Sequence, residues 1–300
     1  MKDTWSESIN EYESFLKIER SLSQNTIKAY QNDISKLEEY ISEYSPSKMP
    51  ADISFDDLKN FLKWLKLENA RTRARVLSGI RSFFRYMVIE GKMEENPAAL
   101  IESPRLGMTI PEVLSIVEID SIIGSIDLSK TEGQRNRAII ETLYGCGLRV
   151  TELVNLRITD LHLDEGFISV TGKGDKQRLV PISNQTIKEI NYWFDDRRRM
   201  KSIVDENILF LNRRGKKLSR VMIFTIIKEL TCAAGISKNV SPHTFRHSFA
   251  THMVQAGADL RAVQEMLGHE SILTTEIYTH IDRLFLRETI LRYHPRRDKP

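Results

Sequence analysis

The chain has 300 residues, enough for two domains of ordinary size, each with its own core. Hydrophobic residues make up 41% and charged residues 28%, and no apolar run approaches the roughly 18 residues that cross a bilayer, which excludes a membrane span. The net charge is only +3, and two cysteines, Cys146 and Cys232, are too few for a disulfide framework, so a reducing cytoplasmic setting is expected.

The opening residues, MKDTWSESINEYESF, carry too many charges for a secretory signal. Charge is segregated further along. Residues 1–58 hold 6 Lys and Arg against 12 Asp and Glu, whereas residues 59–92 hold 9 against 2. Such a basic segment suits a polyanion, although a solvated helix face has the same look. The first stretch, 1–103, reads as an all-helical domain. Ser23 is a good N-cap for QNTIKAYQNDISKLEEYI, and Ser54 for FDDLKNFLKWLKLE. In RTRARVLSGIRSFFRYMVIEGK, Val76, Leu77, Ile80, Phe83, Phe84, Met87 and Val88 recur at helical spacing. A helical wheel puts Arg71, Arg75, Ser78, Ser82 and Arg85 on the opposite side, the candidate DNA-binding face.

Pro97, Pro104, Gly107 and Pro111 then break the pattern, and residues 104–111 read as a linker. A second domain, 112–300, opens with Ser115 and Glu118 at capping-box spacing. Gly145 and Gly147 bring a sharp turn to a short helix, VTELVNL, and GFISVTGKGDKQRLVPI reads as two strands around a Gly-Lys-Gly-Asp turn. The expected fold class is mainly α with a small β-hairpin or sheet in the second domain, an α+β architecture.

Six positions in that domain carry chemistry: Arg149, Lys173, His243, Arg246, His269 and Tyr278. Two guanidinium forks, an ammonium, two imidazoles and a phenol can together hold and attack a phosphodiester. Each alone has an ordinary reading: a surface ion pair for either arginine, a turn lysine, a helix-start histidine, a half-buried tyrosine. His243 and His247 have i, i+4 spacing with His252 beyond, but no HExxH, Cys pair or nearby carboxylate completes a zinc site, so no metal is expected. The GKG around Lys173 lacks the remaining positions of a P-loop.

Taken in order, Arg in GLRVTEL, Lys in TGKGDKQRLVPI, His-x-x-Arg in SPHTFRHSF, Gly-His in LGHES and Tyr in TTEIYTH closely resemble the tyrosine recombinases, in their Xer branch, from about Ser23 to His294. The resemblance implies a two-domain clamp on double-stranded DNA. It makes Arg149 and Arg246 the phosphate-binding pair and Lys173 the general acid. His243 becomes a proton-transfer and phosphate-contacting group, His269 a second donor to the phosphate, and Tyr278 the nucleophile. It leaves His247 and His252 structural. It further implies a 3′-phosphotyrosyl intermediate, a Holliday junction and no cofactor. The expected assembly is a tetramer on two duplexes with a related, XerC-like second recombinase and a septal DNA translocase, in chromosome dimer resolution. Other readings of the same chain are a mobile-element integrase, a single-recombinase system, a silent DNA-binding protein and a type IB topoisomerase. The tail DRLFLRETILRYH, with Leu284, Phe285, Ile290 and Leu291, suits an amphipathic helix that covers its own domain or, as the resemblance implies, docks on a neighbouring protomer.

Overall fold

Helix starts in the first hundred residues are set by hydroxyl and amide side chains. In the computed structural model, which describes residues 4–20, 22–65, 69–104, 112–172, 177–268 and 283–296, α1 is Trp5–Ile18, α2 Gln24–Tyr44, α3 Phe55–Trp64 and α4 Ala70–Ile89. Thr4 and Glu7 close a capping box on α1, the Glu7 amide reaching Thr4 Oγ1 at 3.3 Å and the Thr4 amide reaching Glu7 Oε2 at 2.8 Å. Ser23 caps α2, Ser54 caps α3 and Asn69 caps α4. Each such cap stabilises its helix by about 1 kcal/mol.

The chain divides into two compact units, 1–109 and 110–300. The expected linker, 104–111, lies outside the described residues apart from Pro104. In the first unit, Val76, Leu77, Ile80, Phe83, Phe84 and Met87 of α4 are buried, while Val88 is half-buried. They meet Trp5, Tyr12 and Leu16 of α1 and Ile27, Ile34, Leu37 and Ile41 of α2 in one core. Each of these large apolar side chains contributes about 1.5–3 kcal/mol by leaving water. One polar group intrudes. Asp33 of α2 is fully buried and faces Gly79 of α4, where a Cβ would come within 2.8 Å of its Oδ2. Glycine there admits the carboxylate between the helices, and Arg75 Nη1 donates to it at 2.6 Å.

The second unit begins with α5, Ile116–Gly124, capped by the reciprocal Ser115 and Glu118 bonds that the spacing predicts. In α6, Gly133–Gly145, residues 138–145 are buried on every side, which makes it an interior helix. After α7, Val150–Asn155, comes an antiparallel sheet ordered β1 (Leu161–His162), β2 (Phe167–Thr171) and β3 (Gln177–Pro181). Strands β2 and β3 are the expected hairpin, with Ile168 opposite Val180, and their turn, 173–176, lies outside the described residues. The two-residue β1 adds an edge too short to show a period of two. Helix α8, Asn184–Arg198, packs on α6. Helices α9 (Arg220–Ala233), α10 (Pro242–Gln255), α11 (Leu260–Leu267) and α12 (Arg283–Tyr293) complete the unit. No helix among the described residues is long and apolar enough to cross a membrane.

The tail takes the first of its two expected courses within this single chain. Helix α12 folds on its own unit, burying Leu286, Thr289 and Ile290, while Phe285 and Leu291 stay exposed. His294 follows, fully buried between the rings of Tyr144 and Phe249. Arg296 pairs with Asp120 at 2.7 Å and with the buried Glu141 at 3.3 Å. Ile290 of the apolar stripe and the Arg296 cation thus have partners within the same chain.

Candidate active site

Helix α11 stops at Gly268, whose φ of 63° is left-handed and favours glycine. A helix end leaves carbonyls unsatisfied and negative. Here three successive carbonyls each accept from a different guanidinium. Arg178 Nε donates to Met266 O at 2.9 Å, Arg246 Nη2 to Leu267 O at 2.5 Å, and Arg149 Nη2 to Gly268 O at 3.0 Å. These arginines come from β3, from α10 and from the N-cap of α7, so the helix end gathers three remote segments.

Glu152 lies at their centre, in the first turn of α7 and 5% exposed. Its Oε1 accepts from Arg149 Nη1 at 2.8 Å, and its two oxygens accept from Arg178 Nη1 and Nη2 at 2.7 and 2.9 Å. Arg246 Nη1 stands 4.0 Å from Oε2 and donates to Gly147 O at 2.7 Å. Gly147 has φ of 58°, and a Cβ there would sit 2.6 Å from the Phe249 ring. Only glycine lets this carbonyl reach Arg246. Burial by itself would raise the Glu152 pKa, but the hydrogen bonds and charge of Arg178, with the Arg149 contacts, hold it below the usual carboxylate range. Arg246 is pushed down to about 10, by burial first and then by Arg149. It remains charged at neutral pH. Among the described residues, three cations around one anion leave two positive charges at a partly buried site. A phosphodiester carries one negative charge, and attack by a phenolate brings a second, so this surplus suits the transition state of that reaction.

Of the positions read from sequence, Arg149 and Arg246 are brought together at Glu152. His243 sits in the first turn of α10, one turn before Arg246, and is exposed whereas Arg246 is buried. Lys173, His269 and Tyr278 lie outside the described residues. His247 is exposed, and His252 is buried with its Nδ1 2.9 Å from the Tyr144 hydroxyl, so His252 belongs to the interior. Among the described residues, no group of three His, Cys, Asp or Glu is placed to hold a metal ion. On α4, Arg71, Arg75, Ser78 and Arg85 are exposed and Ser82 is half-buried. Arg75 is tied to Asp33, so this face is less uniform than the helical wheel suggests. Sequence reading missed Glu152 and Arg178. The available signal was Glu152 three residues after Arg149, where its carboxylate caps the Arg149 amide at 2.7 Å.

A mainly helical chain with a small antiparallel sheet and a guanidinium cluster suited to a phosphodiester has the architecture of enzymes that break and rejoin DNA strands. Residues 112–284 match the phage integrase family, and residues 9–91 match the phage integrase N-terminal SAM-like domain. The chain belongs to the phage integrase family and is a tyrosine recombinase, cutting and rejoining DNA in site-specific recombination. It is 39% identical to tyrosine recombinase XerD of Listeria monocytogenes serotype 4b (strain F2365) over 292 residues, which covers 96% of this chain and 98% of that one. It is 40% identical to tyrosine recombinase XerD of Staphylococcus haemolyticus (strain JCSC1435) over 294 residues, with the same coverage. Among solved structures it resembles the XerH site-specific recombinase bound to difH substrate in a pre-cleavage complex, with TM-score 0.68 and 26% identity, covering 96% of this chain and 84% of that one.

Proposed function

We propose that the chain recombines two DNA duplexes at a defined site through a covalent bond to Tyr278, in the resolution of chromosome dimers at cell division. The observation that carries the reading is the convergence of Arg149 and Arg246 on one buried carboxylate and one helix end, immediately before His269 in sequence. The phenolate oxygen of Tyr278 attacks the scissile phosphorus, and the bond to the 5′-oxygen breaks as Lys173 delivers a proton to it. Arg149, Arg246, His243 and His269 hold the non-bridging oxygens. The 3′-phosphotyrosyl bond keeps the energy of the phosphodiester, so neither ATP nor a metal is required. A 5′-hydroxyl from the partner duplex then attacks the same phosphorus and releases Tyr278. Two such rounds pass through a Holliday junction.

In this reading the domains are 1–103 and 112–300, and the exposed arginines and serines of α4 approach DNA. Four protomers assemble on two duplexes in the cytoplasm, with a related XerC-like recombinase and a septal DNA translocase as partners. Identity to XerD along nearly the whole chain supports the chromosomal role over that of a mobile element.

The test is capture of the intermediate in cells expressing the full chain. After lysis in denaturant, the wild type carries covalently attached DNA whose sequence repeats from one isolate to the next, and Tyr278→Phe carries none. Adducts on Tyr278→Phe at the wild-type level would overturn the assignment of the nucleophile.

A further inference from the structure

The third guanidinium at the site is bound differently from the other two. Among the described residues, Arg149 commits Nη1 and Nη2 to protein acceptors, and so does Arg246. Arg178 commits all three nitrogens: Nη1 and Nη2 to both oxygens of Glu152, and Nε to Met266 O. Three of its five N–H donors, including the only one on Nε, are thus spent on protein acceptors, against two each for Arg149 and Arg246. Its side chain is 13% exposed, between the 10% of Arg246 and the 35% of Arg149, so what sets it apart is its hydrogen bonding rather than its burial. Its neighbours leave it little freedom, since a Cβ on Gly268 would come within 3.0 Å of Arg178 Cδ.

We propose that Arg178 is a positioning residue for cleavage, acting through Glu152; this rests on the recombinase reading above. A carboxylate with no second partner would draw Arg149 and Arg246 inward and offset their charge. The side-on pair from Arg178 takes both Glu152 oxygens, the geometry in which a planar fork binds a carboxylate best. Glu152 then orients Arg149 without cancelling the field of the clamp. The same side chain ties β3 to the last turn of α11, so the sheet, α7 and the segment leading to His269 keep one spacing. Lysine could restore the charge at this position, but a single ammonium cannot serve Glu152 and Met266 O in the same geometry.

The proposal makes a coupling prediction. Arg178 matters because Glu152 is charged, so its removal should cost far less once Glu152 is neutral. The experiment measures single-turnover formation of covalent complex on a nicked duplex carrying the sequence captured with the wild-type chain. Four proteins are compared at saturating DNA: wild type, Arg178→Gln, Glu152→Gln and the double variant. With Glu152 present, Arg178→Gln should slow cleavage about 100-fold while DNA affinity stays within about threefold; with Glu152→Gln in place, the same change should cost less than about tenfold. Should Arg178→Gln fail to fold, Arg178→Lys replaces it in both backgrounds and the same non-additivity is expected. Equal losses in the two backgrounds, or a loss confined to DNA affinity, would overturn the proposal. If the wild type itself forms no adduct, it is the recombinase reading that fails.

Discussion

Each unit buries a carboxylate beneath arginine, and the two arrangements have different charge balances. Asp33, between α2 and α4, meets Arg75, whose side chain is 48% exposed. Burial dominates there and raises the Asp33 pKa. Glu152 is almost as deeply buried but faces Arg178, Arg149 and Arg246, and its pKa is lowered despite burial. The first pair is close to neutral and fixes one arginine at the edge of a basic helix. The second cluster keeps a surplus of positive charge. Burying an acid is costly in either place; what separates them is whether the surrounding cations outnumber it, and only the second can present charge to a phosphate.

Removing the carboxylates should expose that difference most strongly. Glu152→Ala leaves three guanidinium groups crowded without their anion and should destabilise the second unit by about 3–5 kcal/mol. Asp33→Ala leaves a half-exposed arginine that water can solvate, and should cost the first unit about 1 kcal/mol. Hydrogen exchange followed by mass spectrometry reads each unit separately in the intact chain. Equal losses would break the comparison.

A smaller effect has a definite sign. Folding lowers the pKa of Glu152, so its contribution is present above the unfolded value of 4.5 and is lost as pH falls through the folded value. Folding raises the pKa of Asp33, so its contribution is present below the unfolded value of 3.8 and is lost as pH rises through the folded value. Between about pH 7 and about pH 3, acidification should therefore cost the wild type stability relative to Glu152→Gln and gain it stability relative to Asp33→Asn. Urea unfolding at several pH values checks both signs.

The smallest expected change concerns DNA affinity. Arg85→Ala should reduce the salt dependence of binding by about 0.9 in logarithmic slope if Arg85 meets a phosphate. Arg75→Ala would also leave Asp33 buried without its cation, so a loss of binding there is to be compared with the loss of first-unit stability. An unchanged slope for Arg85→Ala would return that side of α4 to an ordinary solvated face.

Much of the fold was legible because its signals are local. The caps at Ser23, Ser54 and Ser115, the apolar spacing of α4 and the hairpin around β2 and β3 each depend on residues near one another in sequence. Arg149 and Arg246 were legible through their motif surroundings. Glu152 and Arg178 were not, because a glutamate one helical turn beyond an arginine and an arginine in a strand are ordinary surface features until the fold brings them together. They are 26 positions apart in sequence and share two hydrogen bonds. Asp33 was hidden in the same way, since its burial depends on the absent side chain of Gly79. The direction of the tail was not fixed by its pattern either. An amphipathic helix specifies that it needs an apolar surface, and the contacts of Arg296 and His294 with α5, α6 and α10 became visible only in the fold.

The central claim is that the arginine cluster around Glu152 serves a covalent attack by one tyrosine. The most direct measurement is digestion of the trapped protein–DNA complex with nuclease and protease, followed by mass spectrometry of the peptide that retains a nucleotide. The account predicts that this peptide contains Tyr278 and that the nucleotide is joined through its 3′-phosphate. A nucleotide on any other residue, or one joined through its 5′-phosphate, would contradict it.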